Sequence, residues 1–290
     1  MSHLGLIIEE RSRDIGDFLV GRLIPFRKKR MIGPFIFIDH MGPAELGPIK
    51  YMDVDQHPHI GLCTLTYMLE GEIEHCDGLG TKQLIRPGAV NWMVTGSGLS
   101  HTERTPGELR NGQKCRVHGY QIWVALPKHK EDMQPEFHHF PDTELPKWNQ
   151  GSTSFTLVAG QGYGRSSPVP VHSELFMLDI KSDDFHDLNI NGQLKGEIGI
   201  CVVSGSIEAC GTTVGKGAIV VSKVDDACAV RLHANTHVLL FGGKPFEEQR
   251  HIYWNFVSAS KEKIERAKEA WKDKTFPMMM SDDDSYVPLP

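Results

Sequence analysis

Glu70-Gly71-Glu72-Ile73-Glu74-His75-Cys76 returns as Ser204-Gly205-Ser206-Ile207-Glu208-Ala209-Cys210, at a constant offset of 134 residues. Each copy is followed by a glycine-containing turn and then by Pro87-Gly88-Ala89 or Lys216-Gly217-Ala218. The chain therefore carries one module twice. Around both copies lie short apolar runs, Ile60–Leu69, Val117–Leu126, Glu197–Val203 and His237–Phe241, separated by glycine and proline in the rhythm of strands and turns. Strands without interleaved helices exclude a parallel α/β fold. Antiparallel strands that must bury a face and hide their edges, within about 120 residues per copy, fit a jelly-roll barrel. The expectation is an all-β protein of two consecutive jelly-roll barrels, residues 1–135 and 136–290. One short C-terminal helix is predicted over Lys261–Lys272, capped at Ser258 or Ser260, supported by the Glu262/Arg266 pair and stopped before Pro277.

Bulk properties agree with a globular chain. Its 290 residues, 40% hydrophobic and 23% charged, favour two domains over one. No stretch approaches the ~18 apolar residues of a membrane span, and the start lacks the layout of a secretion signal. A cytoplasmic protein is expected, with no membrane partner. A net charge of -6 argues against strong nucleic-acid binding, although Arg22, Arg27, Lys28, Lys29 and Arg30 form one basic cluster, read either as a solvated strand end or as a partner surface. The six cysteines form no C-x-x-C pair and are expected to be reduced thiols. Gly160–Gly164 reads as linker loop, Glu131–Pro146 as a connection that could touch the rim of the first barrel, and the tail after Met280 as mobile unless it docks.

Chemistry concentrates in two short elements. In His57-Pro58-His59 the alternation of an extended chain points both imidazoles the same way, about 6–7 Å apart. Two surface histidines are the competing reading. Gly96-Ser97-Gly98-Leu99-Ser100-His101-Thr102-Glu103 again places a histidine and a carboxylate two apart, after a glycine-rich turn. If the two pairs converge inside one barrel, three imidazoles and a carboxylate suit Fe, Mn, Ni, Co, Cu or Zn with exchangeable positions left over. A surface ion pair of His101 and Glu103 is the alternative. In the second copy the offset puts Asn191 and Gln193 at the positions of His57 and His59. Counting from Gly217 as from Gly88 puts Val230 and Leu232 at those of His101 and Glu103. The second site is thus expected to have decayed, with His233 and His237 as ordinary surface residues.

The run from His57 through Gly61, Thr64, Thr66, Tyr67 and Glu70-Gly71, with Gly96–Glu103, resembles the pirin family of the cupin superfamily. Asp39-His40-Met41-Gly42-Pro43 and Gln121-Ile122-Trp123-Val124 extend the likeness, which loosens in the C-terminal half. The resemblance implies two cupin barrels, the first holding one metal per chain, usually iron, through His57, His59, His101 and Glu103. It also implies quercetin 2,3-dioxygenase-like activity: a flavonol loses its 3-hydroxyl proton, with Glu103 as candidate base, and reacts with O2 to open its central ring. The other role implied is that of a non-catalytic, redox-responsive partner of transcription regulators or metabolic enzymes.

Overall fold

Gly71 and Gly205, the repeated turn positions, both hold left-handed backbone, with φ of 79° and 73°. A Cβ on Gly71 would lie 2.0 Å from the Arg116 carbonyl oxygen, so the turn has no room for a side chain. In each copy the turn joins a long strand to a short one in a different sheet, and this hand-over makes the two-layered module.

The computed structural model describes residues 6–14, 19–112, 114–223, 229–279 and 285–290. Its first strands are β1 (Leu6–Glu9), β2 (Arg11–Asp14), β3 (Leu19–Ile24), β4 (Phe35–Leu46), β5 (Asp53–His59) and β6 (Leu62–Glu70). They are followed by β7 (Ile73–Asp77), β8 (Lys82–Ile85), β9 (Val90–Val94), β10 (Leu99–Arg104), β11 (Cys115–Ala125) and β12 (Glu136–Phe140). A seven-stranded sheet runs β12-β9-β6-β11-β4-β3-β2, and a four-stranded one runs β5-β10-β7-β8. Met41, Met68 and Val117 of the first pack with Ile73 and Ile85 of the second, so the inner faces of the two sheets share one core.

The second module repeats the plan. An eight-stranded sheet carries Glu197–Ser204 and Thr236–Gly243 at its centre, and a four-stranded sheet joins His186–Leu188, Val230–Leu232, Ser206–Ala209 and Thr212–Gly215. Leu178, Ile180, Ile198 and Ile200 of the larger sheet pack with Ile207 and Leu232 of the smaller. The all-β, jelly-roll expectation holds, and α1 (Lys261–Lys272) is where the pattern places it, with Ser260 Oγ accepting the Lys263 N–H.

The two compact units interleave in sequence. One gathers the segment up to Arg11, Arg22–Phe37 and Thr143–Phe246; the other Ser12–Gly21, Ile38–Asp142 and Glu247–Pro290. They differ from a single division at 135/136 because β1 pairs with Ala218–Lys223 of the second module, while α1 packs Ile264, Ala267 and Trp271 on Ile60 and Phe256 of the first.

Smaller readings change or gain detail. Gly160–Gly164 is no linker: Thr153–Gly162 pairs with Arg165–Ser166 across a tight turn. Within Glu131–Pro146, β12 pairs with β9. Cys63, Cys76, Cys115 and Cys201 are free, but Cys210 is disulfide-bonded, and Cys228 lies outside the described residues. Lys29 of the basic cluster pairs with Glu197, and Arg22 stacks over Phe37 at 4.5 Å. Met278 packs against the cluster that includes Phe276 and Trp271, and Met280 lies outside the described residues. Among the described residues no helix is long and apolar enough to cross a membrane.

Candidate metal centre

β5 and β10 are neighbours in the four-stranded sheet, with His101 opposite His57 and Leu99 opposite His59. The inward side of this pair therefore carries imidazoles from both strands. His57, His59 and His101 are buried, and one ring nitrogen of each lies within 4.8 Å of the others. A bulge between His101 and Glu103 shifts the ladder there, and Glu103 sits opposite His75 of β7. Its buried carboxylate groups with His101 and His75 rather than directly with all three of the first imidazoles.

Each of the three imidazoles has one nitrogen committed elsewhere. His57 Nδ1–H donates to the Asp55 carbonyl at 2.8 Å, which leaves Nε2 as a lone pair. His59 bonds the Asn255 backbone, and its Nδ1 is buried with no hydrogen-bond partner. His101 Nδ1 lies 3.3 Å from His75 Nδ1, and its Nε2 is likewise buried and unpartnered. His75 Nε2–H in turn donates to Asp77 Oδ2 at 3.1 Å, so the chain Asp77, His75, His101 fixes which nitrogen of His101 stays free. Buried ring nitrogens without partners are rare because each costs about 1–3 kcal/mol. Two of them, on rings that belong to a three-histidine cluster, fit a bound cation, and the donors, nitrogen and carboxylate oxygen without thiolate, fit a transition metal with open positions.

The electrostatics agree. Burial pushes His57 down to about 4 and holds His59 and His101 well below the usual imidazole range, their mutual repulsion adding to it. All three are neutral near pH 7, the form that ligates. Burial raises Glu103, partly offset by His75 and by the Thr66 hydroxyl, which lies 3.1 Å from Glu103 Oε1 and 3.0 Å from Gln121 Oε1. Asp77 is lowered in spite of its burial, because it accepts from His75 and from the N–H groups of Leu79 and Thr81. Aromatic rings close the surroundings: Trp123 meets His59 edge-on at 5.0 Å, and Phe137 of β12 stacks on His75 at 4.6 Å. The connection after the first barrel thus reaches the centre through Phe137.

The sequence reading missed His75, although it stands inside the repeat. Its partner in the second copy is Ala209, and that one polar-to-apolar exchange in an otherwise matched strand was the signal. The ladders also correct the register of the second copy. Val230 pairs with Ala209 as Glu103 pairs with His75, so Val230 matches Glu103 rather than His101. The position matching His101 then falls in the segment outside the described residues. Glu103 stands 15 positions after Gly88 and Val230 only 13 after Gly217, so equal counting from the two glycines misaligns the copies. Among the described residues, both clusters able to hold a metal lie in the first module. His233 bonds Ser206 Oγ at 2.8 Å and His237 bonds Asp179 at 2.7 Å.

A duplicated jelly roll whose first copy gathers three neutral imidazoles and a carboxylate defines the class of two-barrel cupin metalloproteins. Sequence models of the pirin family match residues 18–124, and of the pirin C-terminal cupin domain residues 177–277. A pirin-like protein of Caulobacter vibrioides is 39% identical over 99% of both chains. A Pseudomonas aeruginosa protein provisionally named quercetin 2,3-dioxygenase is 38% identical over 93% of this chain and 84% of its own. The crystal structure of a quercetin 2,3-dioxygenase from Acinetobacter baumannii superposes with a TM-score of 0.88 at 34% identity, covering 98% of this chain and 94% of the other. The chain belongs to the pirin family of the cupin superfamily.

Proposed function

We propose that the chain is a dioxygenase that opens the central ring of flavonols such as quercetin with O2, its single metal held by His57, His59, His101 and Glu103. The observation that carries the reading is that one ring nitrogen from each of His57, His59 and His101 lies within 4.8 Å of the others, that His59 Nδ1 and His101 Nε2 are buried and unpartnered, and that the Glu103 carboxylate groups with His101 and His75. The relatives whose names include quercetin 2,3-dioxygenase supply the substrate class and the preference for this reaction. Iron is the metal we assign, with manganese, nickel, cobalt, copper and zinc as substitutes the same donors accept. When bound, the metal supplies a Lewis-acid centre and access to the redox chemistry of oxygen.

The protein's own part is proton handling and exclusion of water. Glu103 takes up the 3-hydroxyl proton of the flavonol. Burial raises its pKa toward the working range of a base, and Thr66 keeps its Oε1 in place. Trp123 and Phe137 present apolar faces to a planar aromatic ligand and keep the surroundings dry. Glu103→Gln keeps the shape and an oxygen donor but cannot take the proton. Its turnover of quercetin, followed by oxygen consumption and carbon monoxide release, should fall ~10²–10⁴-fold while metal content is largely retained. Absence of both signals in the parent protein loaded with iron, manganese, nickel, cobalt or copper would overturn the dioxygenase reading and favour a non-catalytic, redox-responsive partner protein.

A further inference from the structure

Gln56, next to His57, has every polar group taken up by the C-terminal segment or by Ser100. Its N–H donates to Ser285 Oγ at 3.2 Å, and its carbonyl accepts from the Val287 N–H at 3.0 Å. Its side-chain Nε2 donates to the Ser285 carbonyl at 3.2 Å, and its Oε1 accepts from the Met279 N–H at 2.8 Å. Ser100, next to His101, donates to the Pro277 carbonyl at 2.7 Å and lies 3.2 Å from the same Oε1. Arg104, next to Glu103, donates to Ser285 Oγ and to Asp55 Oδ1, each at 2.9 Å.

Side chains alternate along a strand, so Gln56, Ser100 and Arg104 stand on the outer side of the ligand-bearing strands, each behind one ligand. An outward residue on a two-layered protein is normally solvated. Here Gln56 and Ser100 are 2% and 0% exposed, because Pro277–Met279 and Ser285–Val287 lie over them. β5 is also the edge strand of its sheet, and an uncovered edge is free to twist or fray. Tyr286 and Val287 are themselves anchored. The Tyr286 ring stacks on Trp271 at 4.7 Å, and Trp271 Nε1–H donates to the Val287 carbonyl at 2.9 Å.

We propose that the C-terminal segment is a positioning clamp for the metal centre. Pro277–Met279 and Ser285–Val287 hold β5 against β10 from outside, and so hold His57, His101 and Glu103 at the separation a shared cation needs. Gln56 is the positioning residue at its centre and touches no metal. The inference rests on the ligand set proposed above.

Outer partners that orient metal ligands are worth about 10–100-fold in affinity. The test is competitive titration of the metal-free, full-length protein with Co²⁺ against a chromophoric chelator, for the parent, Gln56→Ala and Val287→Pro. Val287→Pro removes the N–H that bonds the Gln56 carbonyl, fixes φ at that position and leaves the Gln56 side chain in place; it carries the test should Gln56→Ala not fold. A clamp predicts Co²⁺ affinity lower by ~10–100-fold and an altered Co²⁺ absorption band in folded variants. Affinity within twofold of the parent and an unchanged band, with only the unfolding midpoint lowered, would reduce the segment to a structural cover and overturn the proposal. Failure of the parent itself to bind Co²⁺ would instead bring down the ligand set, and the clamp with it.

Discussion

At His57, His59 and His101 the two nitrogens of each ring have different duties, one fixed to the protein and one left for a ligand. That division has a pH consequence in the metal-free protein. The folded pKa values lie below the ordinary value, at about 4 for His57, so between pH 6.5 and 4 the unfolded chain binds protons the folded one refuses. Stability is complete above pH 6.5 and is lost as the pH falls toward 4, on the order of 3 kcal/mol from His57 alone. Denaturant midpoints of metal-free protein should drop between pH 7 and 4.5, and saturating metal should steepen the drop because protons and metal compete. An unchanged midpoint would mean that the imidazoles are not held neutral. The residues proposed as ligands stand in two H-x-(H/E) pairs that the sequence shows directly, because alternation on a strand is a local rule. The residues around them are less legible, His75 leaving only its exchange for Ala209 in the repeat and Gln56 nothing. His75 reaches His101 across the β7–β10 ladder, and Gln56 meets Ser285 from 229 positions away, neither of which any spacing encodes.

Strands and the helix followed from local pattern more completely than their partners did. The limits of α1 agree with the sequence because cap, periodicity and stop signal lie within a few residues of each other. The pairing of β1 with Ala218–Lys223 had no such local signature, and it moves the first strand into the second module. The junction that seats α1 on the first module centres on Glu131, 3% exposed, which accepts from Ser258 Oγ at 2.6 Å and the Ala259 N–H at 2.8 Å. Arg250, also 3% exposed, faces the same carboxylate at 3.5 Å and bonds the Leu126 carbonyl. Burial holds the guanidinium below its ordinary pKa, and the carboxylates of Glu131 and, at 3.8 Å, Glu248 compensate its charge. Glu131→Ala removes the buried carboxylate nearest Arg250 and leaves the turn before α1 without its acceptor; it should cost about 3–5 kcal/mol, read as a lower denaturant midpoint. A loss under about 1 kcal/mol would show the junction to be wet and the pair a surface one.

For the molecule as a whole, duplication followed by divergence leaves two modules of one plan with different contents. In the first, the space between the sheets near β5, β7 and β10 holds four histidines, Glu103 and Asp77. In the second, the equivalent ladder carries Ala209 and Val230, and Ile207 and Leu232 complete an apolar core. Among the described residues this core offers no polar donor cluster for a cation, and burying one there would cost several kcal/mol for the unpaired charge. The protein should therefore hold one transition metal per chain, measured by elemental analysis after loosely bound ions are chelated away. His57→Ala and His101→Ala should each empty the site. His233→Ala should leave occupancy unchanged, since its ring is engaged with Ser206 Oγ at the other module's turn. Two metals per chain would require a second centre beyond the β5–β10 pair, and retention of one metal by both His57→Ala and His101→Ala would move the metal away from that pair.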